Sequence, residues 1–155
     1  MAEKLIPLED AQSIVLSHVA PTNLVEIPVW QAAGFPLAED AVADIDISPF
    51  DNSAMDGYAV RSADLAQASG ETPVTLDVIG HEAAGHVFEG VVGTGETVRI
   101  MTGAPVPEGA DAVVKYEIVD MLDGDGNEGS HVSFSAPAKI GENVRSAAEE
   151  AHAGD

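Results

Sequence analysis

Short runs of alternating apolar residues, separated by turns rich in Gly and Pro, constrain the fold of this chain most strongly. Alternation with a period of two is typical of strands with one buried face, and Gly and Pro mark the turns between them. The sequence therefore predicts strands in VTLDVIG, TVRIMTG, DAVVKYEIVD and HVSFSA, with the polar run DGDGNEGS as a hairpin loop. The middle of the chain is expected to be mostly β.

The beginning of the chain has a different period. After Pro7, the stretch LEDAQSIVLSHV places apolar residues on one face of a helix and two acids in its first turn, where the helix dipole favours them. Pro21 would stop this helix after about three turns. Residues 23–29 then alternate with a period of two, which predicts an extended segment, and Pro28 favours an edge position for it.

The charge balance excludes one class of partner. The 155 residues include 27 acids and only 6 Lys and Arg, which gives a formal net charge of -21. Binding to a nucleic acid requires clustered cations that contact phosphates, and no two basic residues of this chain are adjacent. We therefore expect no nucleic-acid partner, and the scattered carboxylates are explained by solubility.

Other residue classes restrict the chemistry and the compartment. The chain has no Cys, which excludes disulfides, thiolate catalysis and thiolate zinc sites. It contains no run of about 18 apolar residues, and its first residues lack the apolar stretch of a signal peptide. We expect a cytoplasmic protein that does not associate with membranes.

Two apparent metal motifs fail on spacing. In HEAAGH, His81 and His86 are five residues apart, about 140° around a helix, whereas helical zinc motifs place two His on one face. The run that begins DGDGNEG resembles a calcium loop, but Glu128 stands where Gly is required and Phe134 where the closing Glu belongs. Solvated loop histidines explain the first run better, and a hairpin turn explains the second.

Two longer stretches carry more information than the other β segments. In DNSAMDGYAV, Asp56-Gly57 is typical of a type I′ hairpin turn, which needs positive φ values. In GETVRIMTGAPVPEGADAVV, Thr102-Gly103 precedes a proline-stiffened run that would leave the Thr hydroxyl and the Gly amide free for a ligand or a partner chain. A plain stiffened loop between strands explains the second stretch equally well.

Both stretches closely resemble the signatures of the molybdopterin molybdenumtransferase family, which includes the bacterial MoeA proteins and the E domain of gephyrin. LAEDAVADIDISPF and IGENVRSAAEEAHAGD add supporting matches, so the resemblance runs from about Val29 to Asp155. It covers only the front of a typical member. Members continue into a molybdopterin-binding α/β domain and a C-terminal β-domain, and we expect this chain to stop before both.

The resemblance, together with the periodicity, implies an α+β fold that is mostly β with a leading α-helix. We expect the helix in residues 1–22. An elongated β-lobe would be formed by residues 23–45 and 146–155, and residues 46–145 would form an inserted, barrel-like β-lobe.

The resemblance also implies an activity. Family members insert molybdenum from molybdate into adenylated molybdopterin with Mg²⁺, release AMP, and act as homodimers with a shared active site. Motif matching implies catalytic roles for Asp56, which would also face the metal, and for Thr102 and Glu150. The cofactor-binding positions that it implies are Asn52, Ser53 and Gly103.

The chain departs from the family pattern near its end. Members carry an Arg-rich run before a Gly-Glu-Asp triplet, whereas Arg145 is followed here by Ser146 and Ala147, and Ala148 replaces the Gly. Glu150 replaces the Asp and extends the carboxylate by one methylene. A phosphate-facing role for this loop is therefore weakened, and we expect the main anion site to lie outside this chain.

Two further interpretations stay open. A non-catalytic β-module for interaction or dimerisation requires no activity, and an acidic metal-binding protein requires tight Ca²⁺ or Zn²⁺ binding. A Gly-Gly-rich α/β domain encoded after Asp155 would favour the enzyme over the module. On the enzyme interpretation, we expect the 155-residue chain alone to be inactive.

Overall fold

The contacts of the chain separate into two groups. In the computed structural model, which describes residues 5–83 and 85–155, the first group ends at Ala41 and the second covers Val42–Asp155. The first group contains the one described α-helix, and the second contains every described strand. The sequence prediction of a mostly β chain with a leading α-helix is confirmed.

Helix α1 spans Leu8–Ser17 and begins directly after Pro7, as predicted. The Ser17 hydroxyl donates to the Ile14 carbonyl oxygen at 2.7 Å, which satisfies one of the carbonyl groups that a helix end leaves free. No residue of α1 is buried. No helix in the described ranges has the length and apolar character that a membrane crossing requires.

The extended segment predicted for residues 23–29 does not enter a sheet. It pairs with no strand of the described chain, and a short 3-10 helix follows at Val29–Gln31. The Gln31 N–H donates to the Pro28 carbonyl oxygen at 2.8 Å, so Pro28 precedes a helical turn instead of lying at a sheet edge. Proline has no N–H for a ladder, and its fixed φ suits the start of a turn. The predicted edge position was therefore wrong.

Eight strands lie in the described part of the second group. Six of them form a sheet in the order β5-β2-β4-β3-β7-β6, in which only β3 and β4 are parallel, and β1 pairs with β8 separately. The predicted single segment DAVVKYEIVD is split by a 3-10 turn at Tyr116–Ile118. The strands are β1 Asn52–Ser53, β2 Gly57–Val60, β3 Val74–Glu82, β4 Glu96–Ile100, β5 Ala112–Lys115, β6 Val119–Met121, β7 His131–Phe134 and β8 Val144–Arg145.

Strand β2 lies in the interior of the six-stranded sheet, and all four of its residues are buried. Its alternate side chains enter two apolar clusters, one on each face of the sheet. Tyr58 and Val60 belong to the larger cluster, with Leu76 and Phe134, whereas Ala59 belongs to the smaller one. Burial of both faces explains why GYAV lacks the polar alternation of a half-exposed strand.

The two ends of the second group are joined by backbone hydrogen bonds. The Ala43 N–H donates to the Asp155 carbonyl oxygen at 2.9 Å, and the Ile47 N–H donates to that of Ala151 at the same distance. Segments far apart in sequence therefore lie side by side. The division of the chain into a helix and two lobes stays a prediction.

The predicted hairpin loop DGDGNEGS is confirmed between β6 and β7, which pair antiparallel. His131, at the start of β7, closes this loop. Its imidazole Nδ1 lies 2.8 Å from Asp123 Oδ2, its Nε2 lies 3.4 Å from Asp77 Oδ1, and its backbone N–H donates to Asp123 Oδ1 at 2.7 Å. The bond to Asp123 and the charges of the two carboxylates raise the pKa of His131, and the bonds from His131 lower the pKa of Asp123.

We predict that Asp123→Asn lowers the pKa of His131 towards its usual 6.5, as measured by NMR titration of the imidazole. Because the folded-state pKa of His131 is raised, the stability it contributes is present at low pH and is lost as the pH rises through that pKa. Asp123→Asn should therefore reduce the fall in Tm that occurs as the pH rises through the pKa of His131. The control Asp120→Asn removes one exposed charge from the neighbouring β6, and equal His131 titrations in both variants would contradict the prediction.

Candidate functional site

The stretch DNSAMDGYAV forms a bend that connects β1 to β2. Ser53 is fully buried, and its hydroxyl donates to the Met55 carbonyl oxygen at 2.6 Å, which closes the bend. Gly57 starts β2 without a positive φ, so the predicted type I′ turn was wrong. The Gly is needed for another reason: a Cβ at this position would collide with the Val114 carbonyl oxygen of β5.

Asp56, directly before β2, is held by the turn that follows β4. Its Oδ1 accepts two hydrogen bonds of 2.8 Å, one from the Thr102 N–H and one from the Thr102 hydroxyl. Its backbone carbonyl oxygen accepts from the Tyr116 N–H at 3.0 Å. These bonds fix an exposed carboxylate on a buried framework. We call the Asp56 carboxylate with its two Thr102 bonds the Asp56–Thr102 clasp.

The clasp favours the ionised form of Asp56. The bond from the Thr102 backbone lowers the pKa of Asp56 most, the bond from the Thr102 hydroxyl lowers it further, and the charge of Arg99 adds a smaller decrease. In the described part of the chain, both bonds end on Oδ1. Oδ2 of an exposed residue is therefore the oxygen that a ligand can reach.

The structure corrects the expectation that the Thr102 hydroxyl and the Gly103 amide are free. The hydroxyl donates to Asp56, and the Gly103 N–H donates to the Ser53 carbonyl oxygen at 2.8 Å. The Ser53 N–H in turn donates to the Ala104 carbonyl oxygen at 2.9 Å. The proline-stiffened loop is thus hydrogen-bonded to the bend before Asp56. Sequence spacing gave no sign of this pairing, because the two stretches are far apart along the chain.

Arg99 is a site neighbour that the sequence analysis missed. It pairs with Tyr58 across β4 and β2, and its guanidinium carbon lies 4.0 Å from the ring centroid of Tyr116 and 5.3 Å from that of Tyr58. Such cation–π contacts hold a cation without a carboxylate partner. Arg99 stands three residues before Thr102 in TVRIMTG, but only the strand register brings it to the two rings.

A cleft of about 510 Å³ lies beside the clasp. It contains three of the predicted site residues, Asn52, Gly103 and Glu150, whereas Asp56 and Thr102 are outside its lining and Ser53 is buried beneath the bend. The predicted residues therefore fall into two adjoining groups. The residues that line the cleft are Ile47, Ser48, Phe50, Asn52, Gly103, Arg145, Ser146, Glu149 and Glu150.

The loop that carries Glu149 and Glu150 is fixed by backbone contacts. The Ala148 N–H donates to the Ser48 carbonyl oxygen at 2.7 Å, and the Glu150 N–H donates to that of Ile47 at 3.0 Å. Ala148 adopts a φ of 58°, in the left-handed region that favours glycine. This is the position at which the resembled family carries Gly, so a residue less suited to the left-handed region adopts it here.

The cleft is mixed in charge. Among the described residues that line it, Arg145 is the one basic side chain, and Glu149 and Glu150 are the two acids. One guanidinium binds one oxyanion well, but it does not balance the several charges of a nucleotide. Within the described residues, no three His, Cys, Asp or Glu side chains are grouped so that they could hold a metal ion together. A single carboxylate such as Asp56 still fits Mg²⁺, which keeps several waters and takes one or two protein carboxylates.

We predict that Thr102→Val raises the pKa of Asp56, because it removes the hydroxyl bond while the backbone bond remains. The NMR titration of the Asp56 carboxyl carbon measures this pKa. Thr102→Ser retains a hydroxyl and should titrate close to the wild type. If the Val and Ser variants titrate alike, the side-chain bond does not stabilise the carboxylate.

We predict that Ala148→Gly is more stable than Ala147→Gly by up to about 1 kcal/mol, because the relief of a left-handed conformation at residue 148 (about 1–2 kcal/mol) exceeds the loss of its buried methyl group (about 0.8 kcal/mol). In both variants, the new Gly increases the conformational entropy of the unfolded chain by a similar amount. In a domain of this size, that difference corresponds to about 2–4 °C in Tm. Thermal unfolding measures this difference. A lower Tm for Ala148→Gly than for Ala147→Gly would contradict the inference that the backbone at Ala148 is strained.

Comparison with known proteins places this chain in a family. Residues 6–155 match the family model for the MoeA N-terminal region, domains I and II. The molybdopterin molybdenumtransferase of Haemophilus influenzae is 39% identical over 152 residues, which is 97% of this chain and 35% of that protein. The Bacillus subtilis protein of the same name is 45% identical over 118 residues, 76% of this chain and 27% of that protein.

The solved structures agree. The molybdopterin biosynthesis MoeA protein of Pyrococcus horikoshii matches 98% of this chain with a TM-score of 0.81 and 34% identity, over 39% of its own length. This chain therefore spans about a third of the length of the relatives that it matches.

Proposed function

Because this chain belongs to the MoeA family through its N-terminal region, we propose that it is the front part of a molybdopterin molybdenumtransferase. The whole protein would insert molybdenum from molybdate into adenylated molybdopterin and release AMP. The relatives carry the name of this activity, and the chain covers only about a third of their length. The activity is assigned to the whole protein, and the chain alone would be inactive.

The observation that carries this proposal is the Asp56–Thr102 clasp. An exposed carboxylate is held in one orientation, kept ionised by two hydrogen bonds, and placed beside a cleft. A carboxylate fixed in this way loses little freedom when it binds a ligand, which is what a catalytic position requires. Thr102 acts in this proposal by orienting Asp56, since its hydroxyl donates to that carboxylate.

The residues fit a magnesium ion as a partial shell. Asp56 would supply one oxygen, Oδ2, and water would fill most of the other positions. When bound, the ion would neutralise negative charge on the phosphate oxygens of the substrate. Further protein ligands would come from outside the described residues.

The cleft would receive part of the adenylated substrate. Asn52, Gly103, Arg145 and Glu150 all line it. Ser53 supports the site from beneath, because its buried hydroxyl closes the bend before Asp56. One guanidinium is too little for molybdate and a phosphoanhydride together, so most cationic groups would belong to another part of the protein or to a second subunit.

This arrangement favours a homodimer that shares its active sites. We assign the protein to the cytoplasm, with no membrane and no nucleic acid as partner. The net charge of -21 supports the last point, since it repels phosphate backbones.

We predict that Asp56→Asn in the whole protein lowers molybdenum insertion by about 100-fold, because the amide cannot supply the negative charge that a metal requires. Insertion is measured as molybdenum transferred to the pterin per unit time. The control Asp120→Asn, an exposed acid on β6, should leave the rate unchanged. Undiminished insertion by a normally folded Asp56→Asn protein would favour the alternative of a non-catalytic interaction module.

A further inference from the structure

Glu82 is a buried acid outside the site described above. It is the last residue of β3, and none of its surface is exposed to solvent. Its Oε1 accepts one hydrogen bond, from the Phe88 N–H at 2.8 Å, and its Oε2 has no partner among the residues that the structure describes. An ionised carboxylate in the interior normally requires several donors, so one bond leaves it poorly compensated.

The segment 85–92 depends on this acid. Its Phe88 ring packs against Gly80 of β3 and against Gly90, at positions where a Cβ would collide with the ring. The bond from the Phe88 N–H to Glu82 fastens the same residue to the end of β3. The backbone hydrogen bonds of the segment include those from His86 to Ala83 and from Val92 to Glu108. The side chain of Glu82, at the end of β3, therefore anchors the middle of the segment through Phe88.

Few charges act on Glu82. Burial raises its pKa, and the Phe88 bond and the charge of His86 oppose that rise. Glu89 is the other ionisable residue between Gly85 and Val92. His81 and Arg99 pair with each other across β3 and β4, one position before the pair formed by Glu82 and Ile100, so they project from the opposite face of the sheet.

We propose that Glu82 is a protonation-dependent latch: the neutral acid holds residues 85–92 against β3, and ionisation releases them. The neutral form places no charge in the interior and keeps the acceptor for the Phe88 N–H. The ionised form can gain hydration only if the segment lifts. Because the folded-state pKa is raised, the closed state is most stable at low pH and weakens as the pH rises through that pKa. This inference requires no substrate and stands apart from the proposed function.

The test is amide hydrogen exchange of residues 85–92 in the whole protein between pH 5 and pH 8, corrected for the intrinsic rate. In the wild type, we expect exchange to increase about tenfold for each unit by which burial raises the pKa of Glu82, and then to level off. Glu82→Gln keeps an oxygen acceptor without a charge, and its corrected exchange should change by less than about twofold.

Two control variants isolate Glu82. Glu89→Gln removes the same charge from the same segment and should retain the wild-type pH dependence. His86→Gln tests the one other ionisable group that acts on Glu82. The latch is overturned if Glu82→Gln keeps the wild-type pH profile, or if His86→Gln alone abolishes it.

A direct titration keeps the proposal testable if Glu82→Gln does not fold. The carboxyl carbon of Glu82 in the wild type should titrate at the same midpoint as the exchange of residues 85–92. Separate midpoints would show that another group controls the segment.

Discussion

The close approach of β2 and β5 is the constraint on which this part of the structure depends. Gly57 allows the Val114 carbonyl oxygen into the space that any Cβ would occupy. The approach lets β2 lie between β4 and β5 with its side chains in both apolar clusters. It also fixes the residue before it, because Asp56 is held at its carbonyl oxygen by Tyr116, which directly follows β5. The core strand and the candidate site are thus set by the same backbone contact.

The acidic residues of the chain serve the fold in a way that the net charge alone does not indicate. Salt bridges between described residues involve only His131, with Asp77 and Asp123. Many carboxylates instead accept hydrogen bonds from backbone N–H groups in loops. The partial positive charge of each N–H compensates the negative charge of the carboxylate. These acceptors include Asp46, Asp51, Asp56, Asp64, Glu82, Glu96, Asp111, Asp123, Glu142 and Asp155.

Local patterns predicted the elements whose signal lies within a few residues. The helix after Pro7 and the strands around Val78, Ile100 and Val132 follow from period and turn residues, and they are confirmed. Residues 23–29 have the same alternation without a paired neighbour, and alternation cannot distinguish the two situations. The Asp56-Gly57 turn failed for a related reason, because the role of Gly57 is set by Val114, 57 residues further along the chain.

Motif resemblance selected the candidate site residues but did not predict their arrangement. Motif resemblance selected Asp56, Thr102 and Gly103, and the structure brings them together. The resemblance could not show that the Thr102 hydroxyl donates to Asp56, since that bond depends on the register between β2 and β4. Arg99 was missed because its partners are aromatic rings on other strands.

The charges of the cleft and of the whole chain limit what this part of the protein can bind alone. The cleft has one guanidinium and two carboxylates within a chain of net charge -21, so the local field opposes an approaching polyanion. Asp56 is kept ionised, which strengthens that opposition unless a cation is bound between the carboxylate and the substrate. If the proposed function holds, a substrate with several phosphate or molybdate charges would therefore be drawn in by cationic groups outside this chain. On the proposed function, Asp56 would then hold the metal and the cleft would position the substrate.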